Sequence, residues 1–383
     1  MRRDLALPPA GGGKCRKRAR RATRDDGGNP VNLKARLEAE IATTGPIDVA
    51  EFMTRCLFDP LEGYYATRPA LGERGDFITA PLVSQMFGEL IGLWLVETWR
   101  GLGAPTRFVL AEAGPGDGTL MADVLRAARL EPAFGQAAQV WLVEASGPLR
   151  ALQAERLADA APRWAGALAE LPDDAPLLLF ANELLDCLPA RQFQRTRSGW
   201  AERVVGLDAG GALAFGLRPA APADAPDDVP VGGVVERSAA QEAFAAELAG
   251  RIAEQGGAAL LIDYGRDAPG PGDTLQALQG HAKVCALAAP GEADLTVHAD
   301  FPAVLAAARG AGASAGLLTQ GELLRRLGIE TRAAALQRAR PDRADVIARQ
   351  LERLIAPDQM GELFKAAAIW TGPPPPAFEA QAR

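Results

Sequence analysis

The sequence predicts an α/β fold built on a doubly wound parallel sheet, and three observations carry that expectation. Short apolar runs without polar alternation occur at 108–111, 140–143, 177–181 and 258–262, as strands covered on both faces require. Helical stretches at 119–129, 147–159 and 238–254 separate most of them. Acidic, amide or glycine residues follow each run directly, which is where open α/β sheets bind ligands.

Along the chain, residues 1–30 are rich in Pro, Gly and basic residues (KCRKRARR at 14–21) and have no apolar periodicity. They read as a disordered basic leader or a start placed too early, with a targeting peptide or basic interaction tail as the alternative. Residues 31–106 form a helical region. Ser84 is the expected N-cap of a helix carrying Met86, Phe87, Leu90, Ile91, Trp94, Leu95 and Trp99, ended by Gly101 and Gly103. The glycine-rich loop 63–81 precedes it, long enough to be functional. Segments 107–190 and 237–375 make the sheet core. Between them, 191–236 alternates like antiparallel strands with Gly turns and is expected as an inserted β-meander beside the sheet's carboxyl edge.

Of the 383 residues 48% are apolar and 23% charged, an ordinary globular composition with no apolar stretch near the roughly 20 residues that span a bilayer. The protein is therefore not expected to be an integral membrane protein. The net charge of −7 argues against nucleic-acid binding and favours a basic partner. Four dispersed cysteines, without a CxxC pair, suggest neither a zinc site nor a disulfide framework and fit a reducing cytoplasm. Two histidines leave little for a metal hydrolase or a Ser/His/Asp machine, so no metal is expected and carboxylates and tyrosines remain as bases.

The stretch FVLAEAGPGDGTL at 108–120 places Glu112, Gly114, Gly116 and Gly118 after the first strand. Glycine lets a backbone turn sharply and a ligand approach the main chain. The spacing is not the GxGxxG of dinucleotide enzymes, and no GxxxxGK[ST] occurs. Glu144 ends the second strand, where a carboxylate can take both ribose hydroxyls. S-adenosylmethionine fits best: it has no phosphate, and its sulfonium suits an acidic cleft. Asn182, Glu183 and Asp186 follow the third run in LLLFANELLDCLP, either as a grip on a cationic nucleophile or as a helix start with an acidic first turn. Asp263 and Tyr264 end the fourth run, with an ordinary strand end as the alternative.

Across 33–371 the chain resembles the MidA-type class I S-adenosylmethionine-dependent methyltransferases, through GPIDVAEFM, DPLEGYY, GDFITAP with SQMFGELIG, AEAGPGDGTL, ANELLDCLPARQF, GGAALLIDYG, APGEADLTVHADF and MGELFK. That family includes a mitochondrial complex I assembly factor that symmetrically dimethylates an arginine of a core subunit. The resemblance implies a Rossmann-like class I methyltransferase sheet with an N-terminal helical region and an inserted antiparallel β segment. It implies cofactor contacts at Gly114, Gly116, Gly118 and Glu144, and a GDFIT block in which Asp76 to Thr79 closes over cofactor or substrate; Glu112 and Asn182, at the strand ends, are expected to join the cofactor contacts by their position. The chain departs from the family at Leu82, Leu184, Leu185 and Ala239, where Glu, Phe, Phe and Pro are common.

The implied reaction is symmetric dimethylation of an arginine on a protein substrate, a respiratory complex I subunit during assembly. It would run in a bacterial cytoplasm or a mitochondrial matrix. Guanidinium stays charged, since its pKa exceeds about 12. A carboxylate pair, Glu183 and Asp186, assisted by Asp76 or Asp263, would hold it and localise its charge. A small-molecule methyltransferase and a non-catalytic assembly chaperone of the same fold remain as alternatives. Oligomeric state is not indicated.

Overall fold

A computed structural model gives the structure of residues 32–67 and 79–379. They fall into two units. One comprises 188–238 and 270–297 with the described residues up to 67, and the other 79–187, 239–269 and 298–379.

The larger unit is built on one sheet. Its strands are β1 (Phe108–Ala113), β2 (Ala138–Val143), β3 (Arg163–Ala165), β4 (Leu177–Asn182), β5 (Gly257–Arg266), β6 (Ser314–Thr319) and β7 (Phe364–Trp370). Their order is β6-β7-β5-β4-β1-β2-β3, and a short bridge, Ala299–Asp300, lies beside β5. Strands β1 to β5 pair in parallel, with Val109 opposite Leu177 and Leu110 opposite Val140. The four strands read from the sequence are thus parallel, and at the far edge β7 runs antiparallel to both β5 and β6. Every residue of β7 is buried, as a strand paired on both sides and covered on both faces requires.

Helices α1 (Gln85–Gly101), α2 (Thr119–Ala128), α3 (Gly147–Arg156), α4 (Ala239–Gln255) and α5 (Phe301–Gly310) accompany the sheet. Ser84 caps α1, accepting from the Met86 N–H at 3.3 Å. Met86, Phe87, Leu90, Ile91, Trp94, Leu95 and Trp99 are all buried, as their spacing predicts. Gly88 and Gly92 let α1 approach α2 closely. A Cβ on Gly88 would stand 2.4 Å from Asp123 Cβ, and one on Gly92 2.9 Å from Ala127 Cβ.

The smaller unit contains helices Leu33–Thr44 and Val49–Phe58, capped by Asn32 and Asp48. It has a five-stranded antiparallel sheet in which Gly199–Leu207 is the hub: Arg191–Thr196, Leu213–Pro219 and Ile47–Asp48 all pair with it, and Val234–Arg237 joins at Arg191–Thr196. A second, three-stranded antiparallel sheet is made of Gln276–Gln279, Ala282–Val284 and Asp294–Thr296. The sequence reading did not separate 270–297 from the core segment. A buried polar network fastens this segment to the insert. Gln192 donates to Glu236 at 2.7 Å, Arg203 donates to Asp273 at 2.8 and 3.0 Å, and Thr274 N–H donates to Glu236 at 3.0 Å.

Candidate active site

The site is assembled at the carboxyl ends of β1, β2, β4 and β5, where the strand register brings together residues far apart in sequence. After β1, Gly114, Gly116 and Gly118 take φ of 65°, 54° and 81°, the left-handed region in which a side chain is strained. The Gly114 N–H donates to Val143 O at 3.1 Å, so the loop is tied to the end of β2. Gly118 opens α2, whose Thr119 N–H donates to Asp117 Oδ1 at 3.0 Å. Glu112 is buried within β1. One carboxylate oxygen accepts from the Met121 backbone, while its Oε2 has no partner among the described residues. Burial, with Asp117 nearby, pushes this carboxyl well above the usual range.

Glu144 follows β2. Its Oε1 accepts from the Ser146 N–H at 2.7 Å, and Arg150 Nε donates to its backbone carbonyl at 2.7 Å. Burial raises its pKa, opposed mainly by the Ser146 bond. The carboxylate offers about four lone-pair sites against donors from Ser146, Ala145 and Gln153, which leaves acceptor capacity for a diol hydroxyl.

The acidic turn follows β4. Glu183 holds φ at 54°, an unusual conformation for a residue with a Cβ, and its N–H donates to Ile262 O at 2.8 Å. Asn182 Nδ2 donates to Glu183 Oε1 at 2.9 Å, and the Ala80 N–H donates to the same carboxylate. Asp263, at the end of β5, accepts through Oδ2 from Leu185 N at 2.8 Å and Asp186 N at 3.1 Å, and through Oδ1 from Tyr264 N at 2.8 Å. Asp186 in turn accepts from the Tyr264 hydroxyl at 2.5 Å. Burial and the neighbouring Asp186 push Glu183 up to about 7, and burial pushes Asp186 up to about 6.

The acidic turn and the glycine loop are in contact. A Cβ on Gly114 would lie 3.0 Å from Leu184 Cδ1, a tight contact that the leucine tip could relieve, so it is the φ of 65° that favours glycine at 114. A cofactor cradle and a pair of carboxylates with raised pKa therefore share one edge of the sheet.

Residues 90–318 match a family model described as S-adenosyl-L-methionine-dependent methyltransferase. The mouse (Mus musculus) mitochondrial protein arginine methyltransferase NDUFAF7 is 36% identical over 367 residues, covering 86% of this chain and 82% of its own length. The human (Homo sapiens) protein of the same name is 37% identical over 382 residues, covering 89% and 84%. The chain belongs to this methyltransferase family. A Burkholderia thailandensis relative, crystallised with S-adenosylhomocysteine bound, superposes with a TM-score of 0.79 at 32% identity over 90% of this chain and 94% of that one.

S-adenosylmethionine is the cofactor, and the residues present fit it. The glycine loop offers main chain without side-chain bulk, Glu144 offers ribose acceptors, and Glu112 Oε2, without a partner among the described residues, leaves an acidic oxygen buried beneath the loop. The group supplies an electrophilic methyl on sulfur.

Of the residues singled out in the sequence, the structure brings Glu112, Gly114, Gly116, Gly118, Glu144, Asn182, Glu183 and Asp186 to the strand ends. Thr79 precedes the short helix Ala80–Val83 and makes no side-chain cap bond to it. Asp76 lies outside the described residues. Asp263 is corrected from a helper in the grip to a buried brace, because both of its oxygens accept backbone N–H groups. Gln153 was missed. It lies in α3, fully buried, and its neighbours in sequence carry no motif.

Proposed function

We propose that this protein transfers methyl groups to a guanidinium nitrogen of an arginine in a protein substrate, forming symmetric dimethylarginine on a respiratory complex I subunit. The reaction would proceed in a bacterial cytoplasm or, in a eukaryote, the mitochondrial matrix. The observation that carries the reading is Glu183, held at positive φ in the turn that touches the glycine loop, with its carboxyl raised to about 7 beside Asp186. Residues held in sparsely populated backbone conformations cluster at ligand sites, and the position of Glu183 at the strand ends supports a chemical role for it.

A guanidinium is planar and offers paired N–H donors that a carboxylate can receive side by side. Glu183 holds the cation and concentrates its charge away from the attacking nitrogen. As that nitrogen takes the methyl, the C–S bond breaks and a thioether leaves, and one N–H proton must depart. A carboxylate with a pKa of about 7 is suited to take it near neutral pH. The relatives named as arginine methyltransferases support the same substrate class. Among the described residues no helix is long and apolar enough to cross a membrane.

The test is incubation of the protein and methyl-labelled cofactor with lysate from a strain lacking it, followed by identification of the labelled species. Label in symmetric dimethylarginine of a complex I subunit is the expected result. Label in a small molecule, or in another residue type, would overturn the reading. Glu183→Gln should lower turnover by about 100-fold or more while binding S-adenosylhomocysteine as the native protein does.

A further inference from the structure

The buried amide of Gln153 joins the two halves of the cofactor cradle. Its Nε2 donates to the Gly116 carbonyl at 2.7 Å and to Glu144 Oε2 at 3.3 Å, and its Oε1 accepts from Trp164 Nε1 at 2.8 Å. An indole N–H can only donate, so the atom facing Trp164 must be the amide oxygen. The NH₂ group is thereby aimed at Gly116 and Glu144, and both of its hydrogens are used. The reverse orientation would set an oxygen against two acceptors and an NH₂ against an N–H. The Gln153 side chain also lies beside the loop, since a Cβ on Gly118 would be in ordinary van der Waals contact with its Cγ at 3.6 Å.

We infer that Gln153, oriented by Trp164, is a positioning residue that fixes Glu144 for the ribose hydroxyls and the Gly116 carbonyl for the loop, and so sets recognition of the ribose. This rests on the placement of Glu144 at the ribose and not on the identity of the methyl acceptor. Glu144 has Ser146 N on one oxygen and Gln153 on the other, so its carboxylate plane is held at both ends. Without Gln153, one end is released and the Gly116 carbonyl loses a buried donor.

The experiment is calorimetric titration of S-adenosylhomocysteine and of its 2′-deoxy analogue into the native protein, Gln153→Leu, Trp164→Phe and Glu144→Gln. For Gln153→Leu the Kd for S-adenosylhomocysteine should rise about tenfold or more, because a buried acceptor and a held carboxylate lose their donor. For the 2′-deoxy analogue, which already lacks part of the diol, the rise should be about threefold or less. Trp164→Phe keeps an aromatic ring while removing the N–H donor and part of the indole, so it should show the same pattern more weakly, and it carries the test if Gln153→Leu does not fold. A merely structural role would weaken both ligands alike, and equal losses, or none, overturn the inference. If Glu144→Gln itself fails to distinguish the two ligands, the ribose placement falls and the inference with it.

Discussion

Tyr264 donates its phenolic O–H to Asp186 Oδ2 at 2.5 Å, joining β5 to the turn after β4 across 78 residues of chain. The ring is held edge-on by Phe364 and by His298, each with centroids 5.5 Å away, so the hydroxyl has little freedom to leave. Burial raises the Asp186 carboxyl and the Tyr264 bond pulls it back, giving a value of about 6. Removing the donor must therefore raise it further. A hydrogen bond to a charged group contributes about 1.5–3 kcal/mol. Tyr264→Phe should then move the acidic limb of the kcat/KM profile up by about one to two pH units. An unmoved limb would show that ionised Asp186 is not needed for turnover.

The same carboxylates make folding stability depend on pH. Glu183, at about 7, and Asp186, at about 6, stand above their ordinary values of 4.5 and 3.8. The folded protein thus binds more protons than the unfolded chain between about pH 4 and 7, and stability falls as pH rises through that window. Urea unfolding should give a lower stability at pH 8 than at pH 5. Glu183→Gln should flatten this dependence and stabilise the protein at pH 8 by about 1–2 kcal/mol. Identical slopes for the two proteins would remove Glu183 as a source of the effect.

Much of this arrangement is legible from local pattern. Buried strands β1, β4 and β5 were visible because continuous apolar runs suit a sheet covered on both faces; β2 showed the same apolar signal although only Val140 and Leu142 are buried in it, and the residues after all four fell at the ligand edge. Strand β7 was not visible: FKAAAIW has three successive alanines, and its place depends on pairing with β5 and β6 rather than on its own propensity. Asp263 was seen but its role was misread, since only the register of β5 against the turn after β4 shows that both its oxygens face backbone N–H groups. Gln153 had no signal at all. Its function arises from Trp164 on one side and the glycine loop on the other, and neither contact is local in sequence.

Gly88 tests the packing that supports the loop. Any side chain there meets Asp123 Cβ at 2.4 Å, closer than real Cβ atoms approach, and neither helix can yield without shifting α2. Gly88→Ala should lower stability by about 1–3 kcal/mol, the range for overpacking a core. Gly101, at the end of the same helix, has open space around its Cβ position. Gly101→Ala should leave the melting temperature unchanged or raise it slightly, since alanine restricts the unfolded chain. A Gly88→Ala protein as stable as the native one would show that α1 and α2 can move apart without cost, and that their close approach at Gly88 does not limit stability.

Asp263→Asn decides the charge state of the brace. Burial, together with Asp186 and Glu183, pushes the Asp263 carboxyl well up, which by itself favours the neutral acid. Its three backbone donors act in the other direction, because each N–H from Leu185, Asp186 and Tyr264 needs an acceptor and a carboxylate supplies two oxygens. An asparagine supplies one. Its NH₂ must face either Tyr264 N or the pair at Leu185 and Asp186, leaving at least one buried N–H unsatisfied at a cost of about 1–3 kcal/mol. The expected result is a loss of that size in urea unfolding. Methyl transfer should fall at least about tenfold as the turn bearing Glu183 relaxes, while Kd for S-adenosylhomocysteine changes by less than about threefold. Native stability in the variant would mean instead that Asp263 is protonated in the folded protein, with its O–H already standing where the amide group would go.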